Sequence, residues 1–369
     1  MLFDLRPKTS REDLFNRDQE LQSLLQAIEL KEPLIIVYGL RRVGKSSLVK
    51  VALNMVKRPS LMIDVKGILY EYGNVSKNTL MREIARAFTE SLPLLEKAGF
   101  KIREALQRVK GLRIKDLEVT LEPTRKPSFT ELLQALNSWC ERQGTHFILA
   151  LDEAQYLRAT GGIRYDGLIA WSIDNLPHLV FIVTGSQVGV LRDFLRLEDP
   201  KAPLFGRFHR DIFLDRFDEK TSIEYLTQGF SEAGVSIPRD EVLDAVAKLD
   251  GVVGCLTYYG YYRAYMKQTH KRSLSQVFKE LAALEAEELE RLIAPSRKRY
   301  LAILKAVASG LHRWSEIKGY IVATAGGIED SRFSKLLENL VKYGYLRKAN
   351  AEYQITDPIT LHLVRSHSL

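Results

Sequence analysis

The sequence predicts an α/β domain built on a parallel sheet, followed by a helical domain and a winged form of helix-turn-helix. Three observations carry this expectation. Unbroken apolar runs of strand length alternate with helical periodicity up to about residue 217. Strand-like runs then vanish from Glu219 to the boundary marked by Pro295-Ser296. The last stretch reads as three helices followed by two short strands.

Leu21, Leu24, Leu25 and Ile28 recur at i, i+3, i+4 and i+7, which predicts an amphipathic helix over 18–30. Leu34 to Tyr38 is a run apolar on both faces, as a buried parallel strand requires. A helix through Leu48, Val51, Ala52 and Met55 and a second strand over 61–65 follow. Residues 67–127 read as an insertion with helices over 79–92 and 101–110 and one strand-like patch at 117–121. Ser128 and Glu131 have the spacing of a capping box at the start of a helix over 128–142. Strands are expected at 147–151, 179–184 and 212–214, then helices over 219–233, 239–249, 254–268 and 273–293. Helices over 297–309, 313–321 and 330–343, with strands around 345–347 and 352–355, complete the chain.

The chain has 369 residues, 46% of them hydrophobic and 27% charged, so it can bury a sizeable core and is not disordered throughout. No apolar run reaches the roughly 18 residues of a membrane helix, and the N-terminus lacks a signal-peptide stretch. The expected location is cytoplasmic. Cys140 and Cys255 alone cannot build a disulfide framework or a zinc site, and the seven histidines show no i, i+4 pairing. The net charge is +8, and residues 297–369 hold +6 of it, from twelve Lys/Arg against six Asp/Glu. Such asymmetry points to an anionic partner for the tail.

Gly39-Leu40-Arg41-Arg42-Val43-Gly44-Lys45-Ser46 fills every fixed position of G-x-x-x-x-G-K-[ST], between a buried strand and a helix. Glycines let the backbone wrap phosphates, and amides at the helix N-terminus point at them. Lys45 supplies a charge to the β- and γ-phosphates, Ser46 a hydroxyl to Mg²⁺, and Ser47 is placed to reach the α-phosphate. Asp152 and Glu153 end the apolar run 147–151 in the Walker B form. Asp152 is expected to orient Mg²⁺ and Glu153 to polarise the attacking water; the alternative is an acidic pair capping the next helix. Thr184 and Ser186, after the strand over 179–184, either report on the γ-phosphate or cap a helix. Arg207 is either a phosphate-sensing arginine or half of a surface ion pair. For Arg41 and Arg42 the readings are a neighbouring phosphate, a partner subunit, or solvated loop side chains.

These residues resemble the archaeal-type ATPase family, signal-transducing (STAND) P-loop ATPases related to AAA+ and origin-recognition proteins. Phe15-Asn16-Arg17-Asp18-Gln19-Glu20-Leu21 is similar to the family's box near the adenine, which implies nucleotide contact for Arg17. The double arginine of the loop, Leu151-Asp152-Glu153-Ala154-Gln155, Phe205-Gly206-Arg207 and Asp357-Pro358 match further family segments. The resemblance spans essentially the whole chain and implies a P-loop core over 1–217, a helical lid over 218–294 and a winged helix over 295–369. It departs at Gly251-Val252-Val253-Gly254, where Val253 replaces the proline that opens the family's lid.

Tyr258, Tyr259, Tyr261, Tyr262 and Tyr265 crowd one helix, where packing is expected over base stacking. Arg332, Lys335 and Lys342 on the third tail helix, with Arg347 and Lys348 in the hairpin, suit a duplex backbone through residues 330–348. Packing on the ATPase core, on a protein partner or on a second copy is the competing reading. No guanine-reading Asn/Thr-Lys-x-Asp follows Asp152, which favours ATP over GTP. The expected function is therefore a slow Mg²⁺-dependent ATPase, with ATP/ADP and Mg²⁺ as cofactors, that couples nucleotide state to the winged helix. A nucleotide-gated protein-interaction switch that holds ADP without binding DNA is the alternative.

Overall fold

The computed structural model describes residues 1–115, 118–122, 128–159 and 163–366. Helix α1 (Asp18–Glu29) leads into β1 (Leu34–Gly39), α2 (Lys45–Met55), β2 (Ser60–Asp64), α3 (Val65–Tyr72) and α4 (Lys77–Lys97). Helix α5 (Arg103–Leu106) and the hairpin β3 (Leu112–Lys115) and β4 (Glu118–Leu121) follow. Then come α6 (Phe129–Gln143), β5 (Phe147–Asp152), a 3-10 turn (Ala154–Ala159), α7 (Tyr165–Asn175), β6 (Leu179–Gly185), α8 (Val188–Leu195) and β7 (Arg210–Leu214). Four helices form the lid: α9 (Glu219–Glu232), α10 (Arg239–Leu249), α11 (Val253–Ala264) and α12 (His270–Ile293). The winged helix comprises α13 (Arg297–Ala308), α14 (Trp314–Ala325), α15 (Asp330–Lys342), β8 (Leu346–Ala349), β9 (Glu352–Ile355) and α16 (Pro358–Arg365).

The large sheet is wholly parallel, in the order β2-β5-β6-β1-β7. Alternate side chains go to opposite faces, and both faces are covered. Phe147, Leu149 and Leu151 of β5 pack with α4 and α6, while Ile148 and Ala150 pack with α1 and α2. The stretch read as an insertion is thus part of the same core, with Phe88 of α4 set 6.1 Å from Phe147 between ring centres.

Several elements differ from expectation. Helical structure over 101–110 is confined to α5, and the patch at 117–121 is the second strand of a hairpin whose partner, Leu112–Lys115, is too short to show a period. Residue 117 itself lies outside the described residues, as do Arg125 and Lys126. Ser128 occupies the cap position of α6, but its hydroxyl makes no cap bond. Helices α3, α7, α8 and α16 were not anticipated. For α16 the signal was present: the Asp357 carboxylate accepts from the Ile359 and Thr360 amides, with Pro358 in the first turn.

Lid and winged helix share one hydrophobic cluster, which also takes in Leu2 and Phe3. A Cβ on either Gly229 of α9 or Gly260 of α11 would stand 2.3 Å from the Phe3 ring, so both glycines are needed to seat it. The Tyr225 hydroxyl donates to the Leu2 carbonyl at 2.9 Å. Among the described residues no helix is long and apolar enough to cross a membrane.

His146, at the foot of β5, is fully buried, and among the described residues neither ring nitrogen has a hydrogen-bond partner. Burial, with Arg58 and Lys31 nearby, pulls its pKa down to about 4. The folded state therefore holds it neutral, while the unfolded chain takes up a proton below about pH 6.5. Stability is lost as pH falls from about 6.5 to about 4, by roughly 3 kcal/mol at most. His146→Phe is expected to be near neutral at pH 7 and to widen its lead in Tm over wild type as the pH drops to 4. Parallel Tm curves for the two proteins would show that His146 does not carry the acid sensitivity.

Candidate nucleotide site

The phosphate loop joins the C-terminal end of β1 to α2. Gly39 runs against the end of β7, where a Cβ would meet the Leu214 carbonyl oxygen at 2.1 Å. Gly44, at φ +98, turns the chain into α2 in a conformation L side chains rarely adopt. The buried Lys45 ammonium donates to the carbonyls of Gly39 (3.0 Å) and Leu40 (2.7 Å), which places it inside the loop. Burial pulls its pKa below the ordinary value, against the opposing pull of Glu153 and Asp152.

Strands β5 and β6 lie side by side, so their C-terminal ends bring Asp152, Glu153, Thr184 and Ser186 together. Ser46 Oγ donates to Asp152 Oδ2 at 2.8 Å. Thr184 Oγ1 donates to Asp152 Oδ1 and accepts the Glu153 amide at 3.0 Å. Burial pushes the Asp152 pKa up, against the hydrogen bonds from Thr184 and Ser46. Glu153 sits at φ +54, a strained conformation for a residue with a side chain. Its Oε2 accepts from the Ser186 hydroxyl (2.7 Å), the Ser186 amide (3.3 Å) and the Gln155 side chain. Thr184 and Ser186, read from sequence as γ-phosphate contacts or helix caps, hold the two acids, and Thr184 is fully buried.

A cavity of about 340 Å³ opens beside the loop, lined by Gly44, Lys45, Ser46, Ser47 and Glu153, by Phe15 and Arg17, and by Val253, Thr257 and Tyr258 of α11. Of the five crowded tyrosines only Tyr258 reaches it; Tyr259 and Tyr262 are buried, bonding His270 and Glu280. Arg17 lines the wall, but its guanidinium donates to the carbonyls of Val43 (3.2 Å) and Asp215 (2.6 Å) and covers the Phe217 ring at 4.7 Å. It ties the loop to the end of β7. Ser47 Oγ accepts the Lys8 amide at 3.0 Å, and residues 4–8 form one wall of the cavity. No sequence motif marks that wall. Helix α11 begins on the loop despite Val253, its first residue, because the first amides of a helix need no intrahelical partner and proline is dispensable there. The Gly254 amide donates to the Arg42 carbonyl at 2.9 Å.

Arg41 and Arg42 are neither solvated nor turned into the loop. Arg42 Nη1 stands 3.0 Å from Glu285 Oε2, and Arg41 Nη2 3.0 Å from Glu288 Oε1, both on α12. Arg41 also donates to the Tyr343 carbonyl (3.3 Å) and lies 4.9 Å over the Tyr345 ring of the winged helix. Burial opposes ionisation of Glu288, but Arg41, Lys66 and the Tyr156 hydroxyl outweigh it and hold its pKa well below the carboxylate range.

Arg207 is not brought to the site. It pairs with Asp174 at the end of α7, Nε to Oδ1 at 2.9 Å, just ahead of β7. Because the strands are parallel, that is the end of the sheet opposite the phosphate loop, about 16 Å away along five residues. On α15, Arg332 and Lys335 are exposed, whereas Lys342 is paired with Asp193 of α8. In the hairpin, Arg347 donates to Gln354 and Lys348 lies over the Tyr353 ring.

The donor set fits magnesium. Ser46 and Asp152 offer a hydroxyl and a carboxylate, hard oxygen donors beside the phosphate loop.

Residues 14–259 match the model of a family described as an ATPase domain predominantly from Archaea. Residues 295–356 match the winged helix-turn-helix domain at the C-terminus of MCM proteins. Among solved structures, the Walker-type ATPase paby2304 of Pyrococcus abyssi is similar over 99% of this chain and 100% of its own, with 37% identity and a TM-score of 0.86. The ORC2 protein of Aeropyrum pernix, solved as ADPNP–ADP complexes, aligns over 99% of this chain and 96% of its own with 14% identity and a TM-score of 0.65, a likeness of fold. No curated protein matches the sequence significantly.

Proposed function

Since the chain belongs to the family of ATPase domains found predominantly in Archaea, we propose that it is a magnesium-dependent ATP hydrolase whose nucleotide state sets the placement of its winged helix. One contact carries the coupling. Arg41 of the phosphate loop donates to the Tyr343 carbonyl at 3.3 Å, at the turn between α15 and β8, and lies over the Tyr345 ring. The winged helix therefore rests on the phosphate loop itself.

The reaction is attack of water on the γ-phosphate. Lys45 supplies positive charge where the phosphates lie, Asp152 and Ser46 hold magnesium, and Glu153 orients the water and takes its proton. Magnesium, when bound, neutralises charge on the phosphate oxygens. Thr184 keeps both acids in place. A steady-state phosphate-release assay, with Lys45→Ala as the blank, is expected to show release above the blank. Binding of ADP with no release above it would favour the slow switch instead.

Duplex DNA is the partner proposed for the winged helix, through the cations that its docking on the core leaves exposed: Arg332, Lys335, Arg347 and Lys348. Each phosphate contact adds roughly −0.9 to the slope of log K against log[salt]. Arg332→Ala with Lys335→Ala should flatten that slope by about two units and weaken all sequences alike. The check is titration of a labelled duplex at several salt concentrations. Equal binding by wild type and variant, or no binding by wild type at low salt, would leave this face as a solvated or protein-contacting surface.

A further inference from the structure

The tandem arginines of the phosphate loop have no task in the reaction as described, and the structure gives them one. We propose that Arg41 acts as a positioning residue for hydrolysis through Glu288 of the lid, and is not a phosphate ligand. This inference rests on the ATPase reading above.

Glu288 gathers donors from four separate segments. Arg41 Nε donates to it at 3.3 Å, with Nη2 an ion-pair neighbour at 3.0 Å outside hydrogen-bonding geometry, and Lys66 Nζ of α3 donates at 3.3 Å, Tyr156 Oη at 2.6 Å and Gln187 Nε2 at 2.8 Å. Two of these flank the groups that set the general base. Tyr156 lies in the 3-10 turn after Glu153, and its amide donates to the Glu153 carbonyl at 3.2 Å. Gln187 follows Ser186, whose hydroxyl and amide both bond the Glu153 carboxylate. One lid carboxylate thus fixes both backbone segments that meet at Glu153.

Arg41 is the cation that holds this carboxylate to the phosphate loop. Its side chain is 9% exposed, its Nε lies 3.4 Å from Glu285 Oε1, and its remaining amino group donates to the Tyr343 carbonyl. Turning it toward a phosphate would strip Glu288 of its closest guanidinium and leave a buried carboxylate undercompensated. The side chain lines a second cavity of about 450 Å³, shared by Lys66, Ser186 and Glu288, which meets the nucleotide cavity at Glu153; Arg41 itself does not line the latter. Any shift of the loop on phosphate binding is thereby delivered to α12, to the winged-helix turn at Tyr343 and Tyr345, and to the setting of Glu153.

The test measures kcat, nucleotide Kd and Tm for wild type, Arg41→Met, Glu288→Gln and the double variant, with Lys45→Ala as blank. Each single change is expected to lower kcat about tenfold or more, the cost of a slightly misplaced catalytic group, with Kd held within about threefold. The double variant should be no slower than the slower single, because both remove one link. A rise in Kd of about tenfold for Arg41→Met but not for Glu288→Gln, with multiplicative effects in the double, would make Arg41 a phosphate ligand and overturn the proposal. Unchanged kcat in both singles overturns it too. If Glu288→Gln does not fold, Tyr156→Phe and Gln187→Ala remove the two flanking bonds singly, and each should lower kcat with Kd unchanged; if neither does, the proposal falls. A wild type with no turnover above the blank removes the ATPase reading and this inference with it, whereas active wild type with unaffected variants removes this inference alone.

Discussion

Lys45→Ala is expected to bind ATP so weakly that nucleotide no longer raises the melting temperature. A ligand at a hundredfold excess over its Kd stabilises the folded state by about 2.7 kcal/mol, which is several degrees for a domain of this size. The loop presents its amides and the start of α2, but among the described residues Lys45 is the one cation that it encloses: Arg41 and Arg42 are turned to α12, and Arg17 is held by the carbonyls of Val43 and Asp215. Removing the buried ammonium also leaves the Gly39 and Leu40 carbonyls without their donor, so the variant's own Tm is the baseline. Differential scanning fluorimetry with and without Mg-ATP reads the result. A shift equal to that of wild type would remove the assignment of the phosphate loop.

Glu153→Gln is expected to keep nucleotide affinity and to lose at least about a hundredfold in turnover, the low end for a general base. The amide is isosteric, and its oxygen can still accept from Ser186, so the left-handed backbone at Glu153 and the Thr184 bond to its amide remain. Lys45, Ser46 and Asp152 are untouched, which is why binding should hold. Kd by fluorescent-nucleotide titration and kcat by phosphate release separate the two quantities. If both worsen together, Glu153 serves the geometry of the site more than the chemistry.

The residues that could be read from sequence are those whose chemistry is local. The phosphate loop and Asp152-Glu153 are each contiguous, and the apolar runs before them announce the strands that carry them. Arg41 was seen as part of the loop, but its orientation depends on Glu288, which lies 247 positions away from it in the chain and carries no motif. Arg207 sits in a segment that resembles the family's, yet it precedes its strand where Lys45 and Glu153 follow theirs, and the parallel order then puts it at the opposite end of the strands. Thr184 and Ser186 were placed beside the acids through strand adjacency, but which partner a hydroxyl takes is decided within an ångström and leaves no trace in periodicity. Likewise nothing in α15 marks Lys342 as docked on Asp193 while Lys335 stays exposed.

The seat of Phe3 between Gly229 and Gly260 has a consequence for the order in which the protein becomes itself during translation. The ribosome makes Phe3 more than two hundred residues before either glycine, so at about 5–20 residues per second the ring waits in water for ten seconds or more. The delay weighs on kinetics more than on the final balance, since each doubling of a loop adds only about 0.6 kcal/mol to its closure. The sheet domain can be complete while Phe3 still lacks its seat, and the lid becomes whole only when the ring reaches it. An arrested nascent chain that ends before α11 would show Phe3 to chaperones and proteases; the finished chain hides it.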